Sequence, residues 1–335
     1  MGKREVRQKM KTFCSFLIIL ILLPYVISVF VNGADMEVTG KNGGTYVQVK
    51  KTGEDGKTQV VDVPWEEYFM GVLAREMPET YETEALKAQA VLIRTSLYQR
   101  LDESSEAGEE MKPFEESYLS TMDLEKKWSA VDYKKFVTKL HKAMEETQDQ
   151  VLYYQDKYAT VPFHQSSNGK TRSAREVMGT EDYPYVVERE CPLDKEAEDE
   201  MNVYTLEYKE IQSKCQTFLV AADDKENAGQ TLNFADFEIQ ERDSAGYVSK
   251  LRIRDTICSG EEFRQALSLA SSAFSLKDAE GKLQITTMGR GHGLGLSQWT
   301  ANEMAKSGNN YEQILQYFFE GTNLTDGGEI FTKVE

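Results

Sequence analysis

Glu76 is a carboxylate at a position where helical spacing calls for an apolar side chain. From Pro64 to Met77 the large apolar residues Trp65, Phe69 and Val72 recur at helical steps, and the next step falls on Glu76. Pro64 and the acidic pair Glu66 and Glu67 suit a first helical turn. Pro78 forces Met77 out of helical geometry and ends the element directly after Glu76. A carboxyl group half-buried at such an end keeps its proton to higher pH, because desolvation penalises the anion, and it can then donate that proton to a leaving group. A solvated helix terminus, or an ion pair with Arg75 or Lys87, satisfies the same spacing.

Two further segments concentrate polar chemistry. His164 to Thr171 reads His-Gln-Ser-Ser-Asn-Gly-Lys-Thr directly after a strand-like stretch. Such a cluster suits contact with a sugar or a peptide, and it equally suits an ordinary turn. In Gly289 to Trp299, glycines 289, 291, 293 and 295 alternate with Arg290, His292 and Leu294 before Ser297, Gln298 and Trp299. Glycine at period two admits another backbone or a ligand at close range. The spacing does not give GxGxxG, so dinucleotide binding is not supported, and G-x-S-x-G is absent. His292 reads first as a hydrogen-bonded structural histidine, then as a substrate contact, then as an acid/base partner. Ser297 can cap a following helix that runs to about Lys306.

These segments need elements to hold them. Glu84 to Leu101 carries Leu86, Ala90, Ile93, Leu97 and Leu101 on one helical stripe, with Gln89 and Arg94 off it. Residues Asp102 to Pro113 read as an acidic loop before a second helical stretch, Tyr133 to Thr147. Val151 to Pro162, Val248 to Ile253 and Leu283 to Thr287 read as strands. Helices and strands are mixed without a βαβ repeat, which predicts an α+β fold around a substrate cleft. The acidic stretch Asp194 to Asp199 reads as a solvated loop without function.

At the N-terminus the apolar run Phe13 to Val31 follows Lys3, Arg4, Arg7, Lys9 and Lys11, opposed only by Glu5. Its length suits an uncleaved membrane helix with the basic flank in the cytoplasm, although cleavage before Ala34 is compatible with the sequence. Residues 1–33 are thus expected to be an anchor or signal segment and 34–59 a tether entering a short strand near Tyr46. Residues 60–335 form the active domain, with a helical and acidic insertion near 102–150. The net charge is −17, and residues 1–33 contribute +4, so the rest carries −21. That balance excludes nucleic acid as a partner and disfavours anionic headgroups. Of the four cysteines, Cys14 lies in the apolar run and Cys191, Cys215 and Cys258 lie beyond it, which leaves an odd thiol if any pair forms. No CxxC or HExxH occurs, so no metal and no cofactor is expected from a local motif.

The blocks Leu73 to Pro78, Glu84 to Thr95, His164 to Thr171, Ser259 to Leu267 and Gly289 to Gln298 together resemble the stage II sporulation protein D family, whose members act on bacterial peptidoglycan. The resemblance implies that Glu76 is the acid/base of a lytic transglycosylase. That enzyme cleaves the MurNAc–GlcNAc bond and leaves a 1,6-anhydro end. It further implies that Lys87, Gln89 and Arg94 line or brace the cleft, and that His164, Ser166, Lys170, His292, Ser297 and Gln298 belong to substrate-contacting segments. Glycan strands are the implied partner, with a peptidoglycan amidase and other membrane-bound sporulation proteins beside them. Some relatives hold a metal through cysteines near the middle histidine, and this chain has no cysteine between His164 and Val187. The alternative is a noncatalytic, glycan-binding enhancer of an amidase, and a scaffold at the engulfing septum is a third reading.

Overall fold

The computed structural model describes residues 45–53, 56–106, 112–115, 118–198, 200–219 and 231–327. The expected membrane segment lies outside the described residues. The described part begins with the antiparallel hairpin β1 (Tyr46–Thr52) and β2 (Thr58–Pro64), which falls within the stretch expected to be a tether up to its last residues. Val47, Val49 and Val63 are buried, and this fixes the hairpin against the helices that follow.

Helix α1 (Trp65–Glu76) starts immediately after Pro64, has Glu66 and Glu67 in its first turn, and stops at an extended Met77. Helix α2 (Thr83–Glu106) runs further than the Leu stripe indicated and absorbs the first residues of the acidic stretch. Helices α3 (Thr121–Lys127) and α4 (Ala130–Glu145) are capped by Ser120 and Ser129. Leu124, Leu140 and Ala143 join the core formed by α1, α2 and the hairpin. The opposite face of α2, with Ala88, Val91 and Leu92, packs into a second apolar cluster. Strands β3 (Gln150–Tyr154) and β4 (Lys157–Tyr158) flank it. Helix α2 is therefore buried on two sides, as its alternating cores require.

Strand β5 (Phe163–His164) and the short helix α5 (Ala174–Met178) lead into a strand-rich half. There β6 (Met201–Glu207) is followed by α6 (Tyr208–Lys214), β7 (Phe237–Arg242), β8 (Val248–Ile253), β9 (Thr256–Cys258) and α7 (Gly260–Leu267). Then come β10 (Phe274–Ala279) and β11 (Lys282–Met288). The sheets β7-β8-β9 and β10-β11-β6 close over a third core containing Phe263, Phe274, Leu251 and Ile285. The chain returns through β12 (Leu296–Ser297), helices α8 (Gln298–Lys306) and α9 (Tyr311–Phe318), and β13 (Asn323–Asp326), which pairs with β3. The result is the α+β class that the sequence predicts.

β12 pairs in parallel with β5, setting Leu296 beside Phe163 and Ser297 beside His164. This two-residue ladder joins the segments expected to share a site. The four alternating glycines all have positive φ. A Cβ at Gly289 would lie 2.7 Å from the Ser167 backbone, and one at Gly291 would lie 2.6 Å from His164 Cβ. At Gly295 it would overlap the Pro162 carbonyl oxygen. The close approach that these glycines permit is made by the chain's own His164 segment.

Gly71 lies inside α1, where alanine is intrinsically favoured by about 1 kcal/mol. A Cβ there would overlap the Leu119 carbonyl oxygen and meet the Tyr118 ring at 2.8 Å. Overpacking of this kind costs about 1–3 kcal/mol, and the displaced carbonyl belongs to a residue whose amide bonds Gly71 O at 3.1 Å. Gly71→Ala is therefore expected to lower the urea midpoint despite its better helix propensity; an unchanged or higher midpoint would show that the loop yields freely.

Candidate active site

The end of α1, the start of α8 and the segment after β5 enclose a cleft of about 620 Å³. Glu76 lines it with Arg75, Tyr81, Lys127, Gln165, Ser166, Glu198, Arg290, Gln298 and Trp299 among others. Four cations, Arg75, Lys127, Arg290 and Lys306, face three carboxylates, Glu76, Glu79 and Glu198. Lys127 pairs with Glu79 at 3.5 Å and Lys306 with Glu303 at 2.7 Å, so the lining is close to charge-balanced in a chain that is acidic overall. Tyr81 and Trp299 meet edge to face with ring centroids 6.3 Å apart, which supplies an aromatic wall. Burial, with Asp194 next, pushes the Tyr81 phenol up to about 12, so it remains a hydrogen-bond donor.

Glu76 is half-buried, and the stripe below it is in the core, with Phe69 and Val72 buried and Trp65 stacked on Phe69 at 5.5 Å. Desolvation raises the Glu76 pKa, and the neighbouring Arg75 charge opposes the rise. The position is also the last turn of a helix, where the backbone presents partial negative charge and further disfavours a carboxylate. Gln298 Nε2 donates to the Glu76 carbonyl oxygen at 3.1 Å, which ties the end of α1 directly to the start of α8.

The remaining sequence-predicted residues divide between the cleft and its supports. Ser166 lines the cleft and exchanges backbone hydrogen bonds with Arg290, 3.2 and 2.8 Å, so the middle segment and the glycine segment do meet. Gln298 also lines it. Lys87 lies instead between Glu84 and Glu146, each at 2.6 Å. The Arg94 guanidinium is buried, donates to the Thr147 and Gln150 carbonyls at 2.6 and 3.1 Å, and lies over the Phe69 ring at 4.7 Å. Both residues brace α2 against the chain around α4 and β3 and do not line the cleft. Gln89 is fully buried behind Gln298. Lys170 pairs with Glu188 and Glu190 at 3.7 and 3.1 Å, away from the cleft lining.

Neither histidine lines the cleft. His164 Nδ1 bonds the Leu294 carbonyl at 3.0 Å, and the Leu294 amide donates to His292 Nδ1 at 3.1 Å. The two rings, 5.9 Å apart, thus hold the backbone of one residue of the glycine segment, Leu294, by its carbonyl and its amide. Burial, reinforced by His292, lowers the His164 pKa to about 3, and burial lowers that of His292 as well. Burial favours the neutral ring at both positions, and their hydrogen bonds hold the turn, the first of the roles open to His292 from sequence. Among the described residues no group of three or more His, Cys, Asp or Glu gathers as a metal-ligand set. Cys191, Cys215 and Cys258 are buried free thiols.

Asp194 overturns the reading of its stretch as a solvated loop. It is fully buried, and its two oxygens accept four hydrogen bonds. Ser167 N and Oγ bond Oδ2 at 2.6 and 2.5 Å, while Ser297 Oγ and Thr300 Oγ1 bond Oδ1 at 2.8 and 2.6 Å. Ser297, expected to touch substrate, is buried here and caps α8 through Thr300 N. Asp194 had no signal in composition, because a buried aspartate inside an acidic run looks like its neighbours. Tyr81 and Trp299 had a weak one, as aromatic residues at the ends of a short interhelical connection and of a glycine-rich turn.

Comparison with known proteins places this geometry among relatives. A family model described as stage II sporulation protein matches residues 53–154, which include Glu76. Stage II sporulation protein D of Bacillus amyloliquefaciens is 31% identical over 304 residues, covering 89% of this chain and 83% of that protein. Its namesake in Bacillus subtilis (strain 168) is 32% identical over 282 residues, covering 82% and 78%. A protein of the same strain named amidase enhancer is 22% identical over 298 residues, covering 76% of this chain and 40% of its own length.

Two measurements check the site. Asp194→Ala strips an acceptor from four donors, among them a buried amide, and should cost about 2–4 kcal/mol in urea unfolding; a loss within experimental error would remove the hub. Glu76→Gln should stabilise the fold at neutral pH. A carboxyl whose folded pKa is raised contributes most below its unfolded pKa and loses that contribution as pH rises through the folded value. The melting-temperature advantage of the glutamine variant should be smallest below about pH 4 and grow to a few degrees above neutrality.

Proposed function

The chain belongs to the stage II sporulation protein D family, and on that premise we propose that it is a lytic transglycosylase cleaving MurNAc–GlcNAc bonds of peptidoglycan glycan strands. The observation that carries this reading is a half-buried Glu76, its pKa raised by desolvation, on the wall of a cleft with an aromatic pair and several cations. The cleft volume falls within the range of about 300–1,000 Å³ usual for ligand sites. Glu76 donates its proton to the glycosidic oxygen as the bond to C1 of the muramic residue breaks. The muramic 6-hydroxyl oxygen then bonds to C1, and its proton passes to the Glu76 carboxylate. Acid and base are restored in one group, so a second carboxylate flanking the bond is not required. The Tyr81–Trp299 wall offers sugar rings an apolar face, and Arg75 and Arg290 in the lining suit anionic groups on the strand.

The apolar run of residues 13–31 would hold this domain on the outer face of the cell membrane, with the basic flank inside. The similarity to an amidase enhancer favours a second reading, in which the cleft binds glycan and stimulates a partner amidase without cutting. The two readings differ in whether Glu76 cuts the bound strand.

Incubation of the purified full-length chain with peptide-stripped glycan strands, followed by mass spectrometry, should yield 1,6-anhydro ends. Glu76→Gln should reduce their formation by about 10²–10⁴-fold, the usual contribution of a positioned acid/base, while glycan binding is retained. Undiminished anhydro products from the variant would sink the mechanism, and their absence from the wild type would give the enhancer reading the lead.

A further inference from the structure

The family resemblance puts Gln298 in a substrate-contacting segment, yet its own hydrogen bonds go to protein acceptors. It is the first residue of α8 and only 2% exposed. Its Nε2 donates to the Glu76 carbonyl oxygen at 3.1 Å and to Gln89 Oε1 at 3.3 Å. Both hydrogens of the amide are committed to protein acceptors. The opposite amide orientation would set an oxygen against those two oxygens, so the orientation is fixed.

The carbonyl that receives this bond needs it. The last four carbonyls of a helix lack intrahelical partners. At the end of α1 the Met77 amide satisfies only Leu73 O, at 3.0 Å, and Pro78 has no N–H to offer the next one. No amide of the following turn can reach Glu76 O, because Met77 is already extended. The Gln298 side chain therefore supplies the C-terminal cap from a helix 222 positions away in sequence. Its own location is set independently, since Ser297 and Thr300 on either side of it are bonded to the buried Asp194.

The geometry assigns Gln298 as the residue that positions the Glu76 acid, through a relay running from Asp194 to the start of α8, to the Gln298 amide and to the backbone of Glu76. This rests on the proposed role of Glu76. The bond is to the backbone and adds no charge, so it acts on the carboxyl group only through where that group sits and how far it is desolvated. Gln89 is the second half of the device: its Oε1 holds the amide in place, and its own Nε2 is buried without a partner.

The test compares wild type, Gln298→Met, Gln89→Met and Glu76→Gln as full-length chains. Methionine keeps length and volume and removes the donors. Gln298→Met should lower kcat for anhydro-end formation by about 10–100-fold, the cost of a small misplacement at the reacting group. KM should stay within about twofold, since no substrate contact is lost. With α1 freed, Glu76 becomes better hydrated, and the limb of the kcat profile on which activity falls with rising pH should move to lower pH. Gln89→Met should shift both readouts in the same direction by less. Because it also removes an unpaired buried amide, it should fold even if Gln298→Met does not.

A raised KM with unchanged kcat would make Gln298 a substrate contact and overturn the proposal. A lower melting temperature with kcat and the pH limb unmoved would make it merely structural and overturn it too. Activity retained by Glu76→Gln would instead refute the proposed function. In that event, or if the wild type forms no anhydro ends, NMR titration of the Glu76 carboxyl still decides the matter: a lower pKa in the Gln298 and Gln89 variants supports positioning, and an unchanged one refutes it.

Discussion

A single buried carboxylate sets the geometry on which the cleft depends. Asp194 accepts from the Ser167 amide and hydroxyl with one oxygen and from the Ser297 and Thr300 hydroxyls with the other. Those donors come from the segment after β5 and from the start of α8, two parts of the chain more than a hundred residues apart. Desolvation works against the anion, and the four donors work in its favour. A carboxylate in that state tolerates little displacement, because each lost donor exposes a buried polar group. The β5–β12 ladder and the glycines at 289, 291 and 295 allow the two segments to approach closely enough for the carboxylate to bridge them.

Asp194 and Glu76 both have raised pKa values through burial, and only one of them can be an acid catalyst. Asp194 is fully enclosed, and its oxygens are occupied by protein donors. Glu76 is half-open to a cleft, and its anchoring bond is to its backbone carbonyl, which leaves the carboxyl group for a ligand. A perturbed pKa thus marks both a buried support and the proposed acid, and access to the cleft separates them.

How much of this was legible in the sequence follows from the range of the forces involved. Local signals carried far: Pro64 and Pro78 bound α1 where they were read, Ser297 caps α8, and Val248–Ile253 forms a strand with the expected ends. The convergence of Glu76 with the His164 and Gly289 segments was legible only through the resemblance of separated blocks. Nothing in periodicity places Gln298 beside Glu76. Individual roles were least legible. Lys87 and Arg94 are polar residues off an apolar stripe, which fits a cleft wall and a structural brace equally well. Asp194 shows the same limit in reverse, since an isolated burial inside an acidic run leaves no compositional trace.

The placement of the acid at the end of a helix has an energetic logic. A mid-helix glutamate would have its backbone satisfied within the helix and would project onto a face that is either core or solvent. At the last turn the side chain can be half-desolvated against a cleft while the uncapped carbonyls add negative potential, and both effects favour the protonated carboxyl. The same uncapped carbonyls leave the helix end prone to fraying, which would let water in and return Glu76 to an ordinary carboxylate. The structure meets both demands by capping Glu76 O from a distant, buried side chain while the carboxyl group stays unpaired with Lys87, whose charge is already held by Glu84 and Glu146. Burial at the cleft raises the Glu76 pKa, and the cap from α8 holds the turn that keeps the carboxyl group there.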